Sequence, residues 1–378
     1  MASEDRYVFL ADWYDQQASL NKKFYVALYL SDKTIDIYDI KNKRLFLKRT
    51  RYPQVSEEDL YVGSTITVFS RQYKIVDYAD DFTRKAFDQD HHVEKTFAMI
   101  KPDSYTNIGK IIQIIEQGGF KISNLRMLKL SQSDTLELYA DKKNNPFIQD
   151  LVNFISSDMV VGLELVRESA ISVLQQIMGP SNSLMAKNQS PNSIRGTFGK
   201  DSLRNAIHGS DSSEAYKRES SYFFNNQRKS TALLNNCTCC LIKPHAIQNR
   251  QVGKILDVIL GEGFEISALE MFYLDKSTAE EFFEIYKGIM PEYSQMIDHV
   301  SSGGPVIALE IRQDNAVDLF RRFCGPHDPD QARDLNPKSL RAKHGLDKIR
   351  NGVHCTDLAE DGVLECEYFF SILQHARK

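Results

Sequence analysis

The sequence contains no run of about 18 apolar residues, the length that a membrane-spanning helix needs. Its N-terminus reads MASEDRYVFLADWYD and lacks a basic stretch followed by an apolar one, so we expect no secretory signal. Excess basic charge is missing too, since the formal net charge is -4. We therefore expect neither a membrane partner nor a general electrostatic attraction to nucleic acid.

Cysteine is absent from the first 236 residues, and all six cysteines lie between residues 237 and 366. A disulfide framework usually places more cysteines in a shorter chain. We therefore expect free thiols in a reducing compartment, the cytoplasm or the interior of an organelle. The string Cys237-Thr238-Cys239-Cys240 is compatible with a metal site or with an apolar strand.

An internal repeat of about 140 residues organises the chain. Thr96–Pro102 returns as Thr238–Pro244, and Gly119–Ser123 returns as Gly263–Ser267. The other matched blocks, in the same order, are Gly109–Ile111 with Gly253–Ile255, Gly179–Pro180 with Gly325–Pro326, Arg195 with Arg341, Asn205–His208 with Asn351–His354, and Glu219–Phe224 with Glu365–Phe370. A unit of this length indicates a duplicated domain and not a solenoid.

The repeat also indicates the role of two of the cysteines. Cys239 and Cys240 take the places of Phe97 and Ala98, which belong to an apolar run in the first copy. A buried free cysteine behaves as a small hydrophobic residue. We therefore favour a structural role in a strand over a metal site for these two thiols.

Within each copy, short apolar runs alternate with helical patterns. In the first copy, the run Phe97–Ile100 precedes a helix with isoleucines on one face, at positions 108, 111, 112 and 115. Gly118-Gly119 can end that helix, and a second strand is predicted over Ile122–Leu130. In the second copy, Ser277–Glu280 is a capping-box pattern that predicts a helix start. This order predicts an α+β fold, with helices packed on one sheet.

Residues 1–91 stand outside the repeat. Alternation in Thr34–Ile40 and an apolar run at Phe24–Leu30 predict a small β-rich domain. Six basic residues fall within Lys41–Arg51. They form either the solvated rim of a hairpin or a contact for an acidic partner. The predicted domains are 1–91, 92–226 and 237–378, with a polar linker at 227–236.

The sequence has neither a Walker-A loop nor the glycine-rich loop of protein kinases. Candidate cations for phosphate are Lys101, directly after a predicted strand, and Arg195, whose planar guanidinium suits phosphate. Asn205 and His208 lie three residues apart, so a helical turn would put them on one face. A neutral imidazole can attack phosphorus and hold it as phosphohistidine. A carboxylate such as Glu219 can fix its tautomer.

The strings Lys101-Pro102-Asp103 and Asn205-x-x-His208-Gly209-Ser210-Asp211-Ser212 resemble the signature of the nucleoside diphosphate kinases. The resemblance covers residues 93–224 and 238–370. It implies two tandem ferredoxin-like (βαββαβ) domains that transfer the terminal phosphate of a nucleoside triphosphate to a nucleoside diphosphate. The implied reaction is ping-pong through phosphohistidine, with Mg²⁺ on the nucleotide phosphates and no metal ligand from protein side chains. Residues 1–91 resemble a DM10 domain, a module of axonemal and cilia-associated proteins.

The resemblance also implies the role of each site residue. His208 is the nucleophile, and Ser210 and Glu219 position it. The implied nucleotide-binding residues are Lys101 and Asn205 for the sugar hydroxyl, with Lys101 also reaching the phosphates, Ser181 and Arg195 for the phosphates, Tyr139 as support and Phe147 for stacking on the base. The corresponding residues of the second copy are Lys243, Arg321, Arg341, Asn351, His354 and Glu365. Stacking tolerates different bases because every base has a π-face.

The first copy departs from the family pattern at a few positions. Gln175 replaces an arginine, which removes one charge-assisted phosphate contact of a kind often worth ~1.5–3 kcal/mol. Asp158-Met159 stands where Gly-Pro is expected, and the loop from Gly179 to Arg195 is longer than is typical. We expect slower or weaker turnover in the first copy, not its abolition.

The second copy departs further. His245 replaces the aspartate after Lys-Pro, His327 replaces a threonine-type phosphate contact, and Cys355-Thr356 replaces Gly-Ser after the histidine. We expect the Cys355 side chain to crowd the incoming phosphate. The supporting tyrosine corresponds to Phe283 or Tyr286, and the stacking phenylalanine has no clear match. These changes predict an impaired second site that still binds nucleotide.

Two functions fit these features. The first is a kinase with one main site, and the alternative is a non-catalytic structural component of an axonemal or centrosomal microtubule assembly, because fold does not imply function. Acidic tubulin surfaces suit the basic run Lys41–Arg51. The expected location is the cytoplasm and cytoskeleton, at the cilium axoneme or the centrosome. The two copies can pack as an internal pseudo-dimer, which favours a monomer.

Overall fold

The computed structural model describes residues 6–15, 18, 20–89, 93–144, 146–225 and 228–374. These residues form two compact units. One contains the described residues up to 93 together with 273–304, and the other contains the described residues within 94–272 and from 305 to 374. The predicted domain boundaries at 91/92 and 226/227 lie outside the described residues, so the boundaries stay predictions. Of the helices that the structure describes, none has the length and apolar character needed to cross a membrane.

The first unit is built on a six-stranded antiparallel sheet with the strand order β4-β3-β2-β1-β6-β5. The strands are β1 (Arg6–Asp15), β2 (Leu20–Tyr29), β3 (Thr34–Asp39), β4 (Arg44–Arg51), β5 (Thr65–Val68) and β6 (Arg71–Tyr78). The helices of this unit are α1 (Asp81–Gln89), α11 (Lys276–Phe282) and α12 (Tyr293–Ser302), with short 3-10 turns at Glu57–Asp59 and Glu284–Tyr286. Ile35 and Ile37 of β3 are buried in its core, which confirms the predicted half-buried strand and the β-rich head.

The second unit contains an eight-stranded sheet with the order β10-β7-β9-β8-β12-β13-β11-β14. The strands are β7 (Val93–Ile100), β8 (Lys121–Lys129), β9 (Met159–Glu168) and β10 (Ile207–Gly209) from the first copy, and β11 (Cys237–Ile242), β12 (Glu265–Phe272), β13 (Val306–Arg312) and β14 (Val353–Cys355) from the second. Read from the outer edge of the sheet toward its centre, each half has its four strands in the same order. The fourth strand of the copy comes first, followed by its first, third and second strands. Together with the helices between them, this is the predicted ferredoxin-like fold, which is confirmed.

The helices of the second unit follow the repeat. The first copy contributes α2 (Ile108–Gln117), α3 (Gln132–Leu138), α4 (Ile148–Ile155), α5 (Ala170–Met178), α6 (Ser183–Gln189), α7 (Ile194–Phe198) and α8 (Ser213–Phe223), with 3-10 turns at Pro102–Asn107 and Ala140–Lys142. The second copy contributes α9 (Pro244–Gln248), α10 (Val252–Gly261), α13 (Ala316–Cys324), α14 (Pro329–Leu335), α15 (Leu340–His344) and α16 (Asp361–Glu367), followed by the π-helical segment Tyr368–Leu373.

Two predicted helix signals had different outcomes. The isoleucine face of α2 is buried, as its periodicity predicts, and the helix is followed by Gly119 with a φ of +85°. The predicted start at Ser277 is wrong, because α11 begins at Lys276 with Asp275 as its N-cap. The Asp275 carboxylate accepts the Thr278 N–H at 2.8 Å, and this satisfies the first turn two positions earlier than Ser277 could.

The helices α2 and α10 of the two copies cross at a glycine pair. A Cβ on Gly109 would lie 2.1 Å from the Asp257 nitrogen, and one on Gly253 would lie 2.3 Å from the Gln113 nitrogen. Glu116 at the end of α2 accepts the N–H groups of Val252 and Gly253, each at 3.0 Å. Burial raises the pKa of Glu116 to about 7, although these two hydrogen bonds oppose the rise. The copies thus form the expected internal pseudo-dimer.

The strands β8 and β12 join the two half-sheets at one residue pair, Arg126 opposite Glu270. These residues hold the same place in the two copies, since Lys121 corresponds to Glu265. Arg126 Nε lies 3.4 Å from Glu270 Oε2, and both side chains are buried. The guanidinium also donates to the carbonyls of Asn225 and Arg228. The contact therefore requires unlike copies, because two like copies would bring like charges together.

The predicted linker at 227–236 is anchored along the second unit, as far as its described residues 228–236 show. The N–H groups of Leu233 and Leu234 donate to the Glu310 carboxylate at 2.7 and 2.6 Å, and Thr231 Oγ1 donates to the Ser267 carbonyl. Two backbone N–H groups and one hydroxyl therefore fix the path of residues 231–234 along β12 and β13.

Reversing the charge of Glu270 tests this pairing. Glu270→Arg places two buried guanidiniums together, so we expect a loss of about 3–5 kcal/mol in the free energy of unfolding, measured by urea denaturation. The double variant Arg126→Glu/Glu270→Arg restores opposite charges and should recover part of the loss. As a control, Glu265→Ala breaks an exposed pair with Arg312 at 3.2 Å and should cost about 1 kcal/mol or less. A double variant no more stable than Glu270→Arg would contradict the charge-pairing argument.

Candidate active site

The site of the first copy is organised around a left-handed residue that precedes β10. Ala206 has a φ of +71°, a conformation that a residue with a Cβ keeps only when its surroundings hold it. Asp103 Oδ2 accepts the Ala206 N–H at 3.2 Å, and the Ala206 carbonyl accepts the Lys101 N–H at 2.9 Å. The end of β7 thereby fixes the turn that carries Asn205 and His208.

The His208 ring is held by Glu219 of α8. His208 Nε2 lies 2.8 Å from Glu219 Oε2, which also accepts the Ser210 hydroxyl at 2.7 Å. Burial raises the pKa of Glu219, but His208 and the hydrogen bonds from His208 and Ser210 outweigh it and hold the pKa below its ordinary value. An ionised carboxylate only accepts hydrogen bonds. Nε2 therefore carries the proton in the neutral ring, and Nδ1 keeps a lone pair for attack.

Tyr139 lies edge-on to this imidazole. The two ring centroids are 5.1 Å apart at an angle of 72°. Tyr139 is buried, and within the described part of the chain its hydroxyl has no hydrogen-bond partner. Burial raises the pKa of this phenol well above its usual value, so the group stays a neutral donor. A buried hydroxyl without a partner is costly, and a bound polar ligand would relieve that cost.

Lys101 and Asn205 form a buried polar pair at the carboxyl end of β7. Lys101 Nζ donates to Asn205 Oδ1 at 2.6 Å and to the Leu203 carbonyl at 3.2 Å. Asn205 Nδ2 donates to the Ser181 carbonyl at 2.8 Å, so the structure brings three of the predicted nucleotide-binding residues together. Burial, with a further contribution from Arg195, lowers the pKa of Lys101 to about 7.

Arg195 is buried beneath the same site. Its guanidinium donates to the carbonyls of Gly179 at 2.7 Å and Ile207 at 3.1 Å, and it reaches the Ser181 hydroxyl at 3.5 Å. Burial lowers the pKa of Arg195 to about 10, so it stays a cation at neutral pH. The guanidinium therefore braces the chain on both sides of the site and leaves positive charge close to Lys101.

Phe147 and Gln175 are two further positions that the sequence singled out. Phe147 is 70% exposed and is the N-cap residue of α4. Gln175, which replaces the expected arginine, donates from Nε2 to the Ser210 carbonyl at 3.1 Å. Gln175 thus supports the backbone next to the histidine, and the role of Phe147 stays a prediction.

The second copy repeats the histidine geometry with different partners. His354 Nε2 lies 2.9 Å from Glu365 Oε2, and that oxygen accepts the Thr356 hydroxyl at 2.9 Å. Thr356 thus makes the contact that Ser210 makes in the first copy. The family pattern has serine at this position and so gives no sign of this match, whereas the internal repeat does, because both residues offer a hydroxyl at the same repeat position.

His245 also preserves a contact of the residue it replaces. Its Nε2 accepts the Gly352 N–H at 3.1 Å, as Asp103 accepts the Ala206 N–H. Gly352 has a φ of +86°, so the left-handed turn is present in both copies. Burial, aided by Lys243, lowers the pKa of His245 to about 4 and keeps its ring neutral. The departure from aspartate therefore leaves the local backbone unchanged.

The cations of the second copy are engaged differently. Lys243 Nζ donates to the Ile349 carbonyl at 3.0 Å, whereas Asn351 Oδ1 has no hydrogen-bond partner among the described residues. Arg321 pairs with Asp357, its Nε lying 3.2 Å from the carboxylate. Arg341 donates to the Gly325 carbonyl at 2.9 Å, as Arg195 does to Gly179.

Comparisons with known proteins decide the family. Residues 94–229 and 236–374 match the family model "Nucleoside diphosphate kinase", and residues 1–89 match the "Nucleoside diphosphate kinase 7 N-terminal PH domain". The chain belongs to the nucleoside diphosphate kinase family. The N-terminal match agrees with the predicted DM10-type domain and with the six-stranded sheet.

Individual relatives of this family are similar over most of the chain. It is 44% identical over 375 residues to nucleoside diphosphate kinase homolog 7 of Rattus norvegicus, which covers 98% of this chain and 94% of that protein. The Mus musculus homolog 7 gives the same figures. A crystal structure of the Aquifex aeolicus nucleoside diphosphate kinase covers 35% of this chain and 96% of that one, with 40% identity and a TM-score of 0.35.

Sequence reasoning missed several residues that the kinase-family fold brings into the first site. Asp103 has no separate role in the motif that predicts the site, yet its carboxylate holds the turn at Ala206. Arg218 has no place in that motif, although it bridges Glu219 Oε1 at 3.2 Å and Asp141 at 3.0 Å. Its position next to Glu219 was the signal that could have revealed it.

The lowered pKa of Lys101 predicts proton uptake when a nucleotide binds. At pH 8 a lysine with a pKa of about 7 is mostly neutral, and a phosphate beside it favours the charged form. We expect uptake of up to about one proton at the first site at pH 8, decreasing toward pH 6, where the ammonium is already present. Calorimetry of ADP binding in buffers of different ionisation enthalpy measures this uptake.

The variant Lys101→Met should lose the uptake that belongs to the first site. Lys243, whose pKa burial also lowers to about 7, provides the matched variant Lys243→Met, which should keep it. Equal uptake by wild type and Lys101→Met, or uptake that increases toward pH 6, would show that Lys101 is not the group that titrates.

Proposed function

We propose that the first copy is a working nucleoside diphosphate kinase in which His208 carries the phosphate. The observation that supports this most directly is the buried Glu219–His208 pair, which binds Nε2 and leaves the lone pair on Nδ1. Nδ1 attacks the terminal phosphorus of a nucleoside triphosphate, the bond to the bridging oxygen breaks, and the nucleoside diphosphate leaves. A second nucleoside diphosphate then takes the phosphoryl group and restores the histidine.

The buried cations supply the electrostatic part of this reaction. Lys101 and Arg195 lie beside the histidine in a poorly hydrated setting, where positive charge acts strongly on phosphate oxygens. Glu219 compensates the positive charge that the imidazole gains while it is phosphorylated. The protein thus provides fixed charges of both signs, each next to the atom whose charge changes.

Magnesium fits this site as part of the nucleotide. The Glu219 oxygens contact His208, Ser210 and Arg218, so this carboxylate is occupied by side chains of the protein. The ion would be held by the phosphates, whose negative charge it partly neutralises during transfer. The buried lysine and arginine complement the remaining charge.

We propose that the second copy binds nucleotide but turns over poorly. Its histidine is held as in the first copy, but Arg321 is paired with Asp357, and the carbonyl of the Asn351 side chain lacks the lysine contact found at Asn205. Phe283 follows the Asp275 cap at the spacing of Tyr139 from Ser131, so it is the tyrosine counterpart and lacks the hydroxyl.

Phosphohistidine formation from labelled ATP and Mg²⁺ separates the two sites. We expect His208→Ala to abolish most of the label, because it removes the nucleophile, and His354→Ala to leave most of it. Transfer to a nucleoside diphosphate should follow the same pattern. The double variant His208→Ala/His354→Ala gives the background level of label. If wild type takes no label where an ordinary family member does, or if His354→Ala alone removes it, the assignment of catalysis to the first copy is wrong.

A second role, as a component of a microtubule assembly at the axoneme or centrosome, is supported by β4. This strand lies at one edge of the described six-stranded sheet, and its basic side chains Arg44, Lys48 and Arg51 are exposed. A basic edge of this kind complements an acidic surface such as that of tubulin. We also propose a monomer in the cytoplasm, because the pairing surface of each copy is already used by the other.

Cosedimentation with microtubules tests this role. Arg44→Glu/Lys48→Glu/Arg51→Glu should weaken binding by at least about tenfold at physiological salt, and added salt should weaken wild-type binding in the same direction. The matched control reverses three exposed lysines of the second unit, Lys110, Lys187 and Lys217, and should bind like wild type. His208→Ala should also bind normally. Equal loss in both charge-reversed variants would leave no special role for β4.

A further inference from the structure

The residue after the active-site histidine differs between the copies, and a buried neighbour differs with it. In the first copy these positions are Gly209 and Met178, and a Cβ on Gly209 would lie 2.6 Å from Met178 Cε. In the second copy they are Cys355 and Cys324. The shorter Cys324 leaves room for the Cys355 side chain, so the paired substitution replaces a glycine–methionine contact by two thiols.

The two thiols are buried, and Cys355 lies next to a cation. Cys324, the last residue of α13, and Cys355, the last of β14, are at most 1% exposed, and these two elements pack against each other. Arg341 Nη2 donates to Cys355 Sγ at 3.5 Å. The Cys324 thiol lowers the pKa of Cys355 below its ordinary value, and Arg341 adds to this against the effect of burial.

We infer that Cys324 and Cys355 form an oxidation site of the second copy, which a peroxide converts reversibly into a disulfide. The Cys355 thiolate attacks one oxygen of hydrogen peroxide, the O–O bond breaks, and hydroxide leaves to take up a proton as water. The Cys324 thiol then attacks the sulfenic sulfur, forms the S–S bond and releases a second water. Two thiols lose two electrons and two protons, and the peroxide is reduced to two waters.

A second group of thiols in the same chain lacks the features that make this pair reactive. Cys237, Cys239 and Cys366 are also buried and joined by thiol contacts. Their neighbour is the Glu310 carboxylate, and the Cys237, Cys366 and Glu310 ligand atoms lie within 4.8 Å of one another. The hydrogen bond to Cys366 and burial raise the pKa of Cys237, so its thiol stays protonated. The thiolate is the nucleophile in oxidation. This group therefore serves as a control within the same chain, because its thiols are also buried and close together although the Cys237 thiol stays protonated.

Oxidation would change the second site directly. The disulfide would join the ends of α13 and β14, next to Gly325 and His354, and would remove the sulfur charge that faces Arg341. The inference does not require the second copy to be catalytic, since it depends only on the two thiols and the guanidinium.

Peptide mapping of the full chain tests the site. Protein is treated with hydrogen peroxide at pH 7, free thiols are blocked with N-ethylmaleimide in denaturant, and the chain is cut with trypsin and a glutamate-specific protease. Trypsin alone leaves Cys355 and Cys366 in the peptide 351–377, and cleavage after Glu360 separates them. We expect the Cys324–Cys355 disulfide to form at least about tenfold faster than any disulfide of Cys237, Cys239 or Cys366, and dithiothreitol to reverse it.

Two variants test the roles of Cys324 and Cys355 in this oxidation. Cys324→Ser removes the resolving thiol, so Cys355 should accumulate as a sulfenic acid that dimedone labels. Cys324→Met/Cys355→Gly recreates the pair of the first copy, and it should abolish the fast oxidation without affecting the slow thiols. The inference is overturned if Cys324 and Cys355 are blocked by maleimide as completely as Cys237 and Cys366, or if Cys355 instead joins Cys240.

Discussion

The pairing of unlike copies is the constraint on which the second unit depends. Arg126 and Glu270 hold the same place in the repeat and meet where β8 and β12 join the half-sheets. Two first copies would oppose arginine with arginine, and like charges brought together out of water are costly. Gly109 and Gly253 add a steric condition, because α2 and α10 approach too closely for a Cβ. Charge and shape together select the pairing of a first copy with a second copy.

The two copies have the same backbone geometry around the histidine, although different side chains hold it in place. His245 accepts the N–H that Asp103 accepts in the first copy, and Thr356 replaces the hydroxyl of Ser210. A lone pair at the right position is sufficient for these supporting roles. Phosphate binding needs more, because it requires a cation that is available. Lys243 donates to the Ile349 carbonyl and not to Asn351, whereas Lys101 contacts Asn205, and this change alters the proposed chemistry of the second copy more than the exchanged supports do.

Burial gives the first site its electrostatic character. Lys101 is held out of water beside Arg195, so its pKa is lowered and part of its charge is lost at neutral pH. A nucleotide phosphate is the partner that would restore this charge. The same low-dielectric surroundings keep Tyr139 neutral and make the Glu219–His208 contact strong. In the second copy the exchange at Cys324 and Cys355 adds a cysteine sulfur next to Arg341, whereas in the first copy Met178 leaves no room for a side chain at Gly209.

The sequence by itself determined the duplication, the α+β fold of each copy and the residues that gather around His208, because periodic apolar positions and a specific motif are local signals. It also predicted the buried face of α2 correctly. Tertiary structure alone decided which nitrogen of His208 is bound, that His245 and Thr356 replace other residues, and that Asp275 caps α11. It also grouped α11 and α12 with the N-terminal sheet and set Arg126 against Glu270. These features depend on distances between residues far apart in the chain, and a linear pattern carries no record of such distances until the strands are paired and the helices packed.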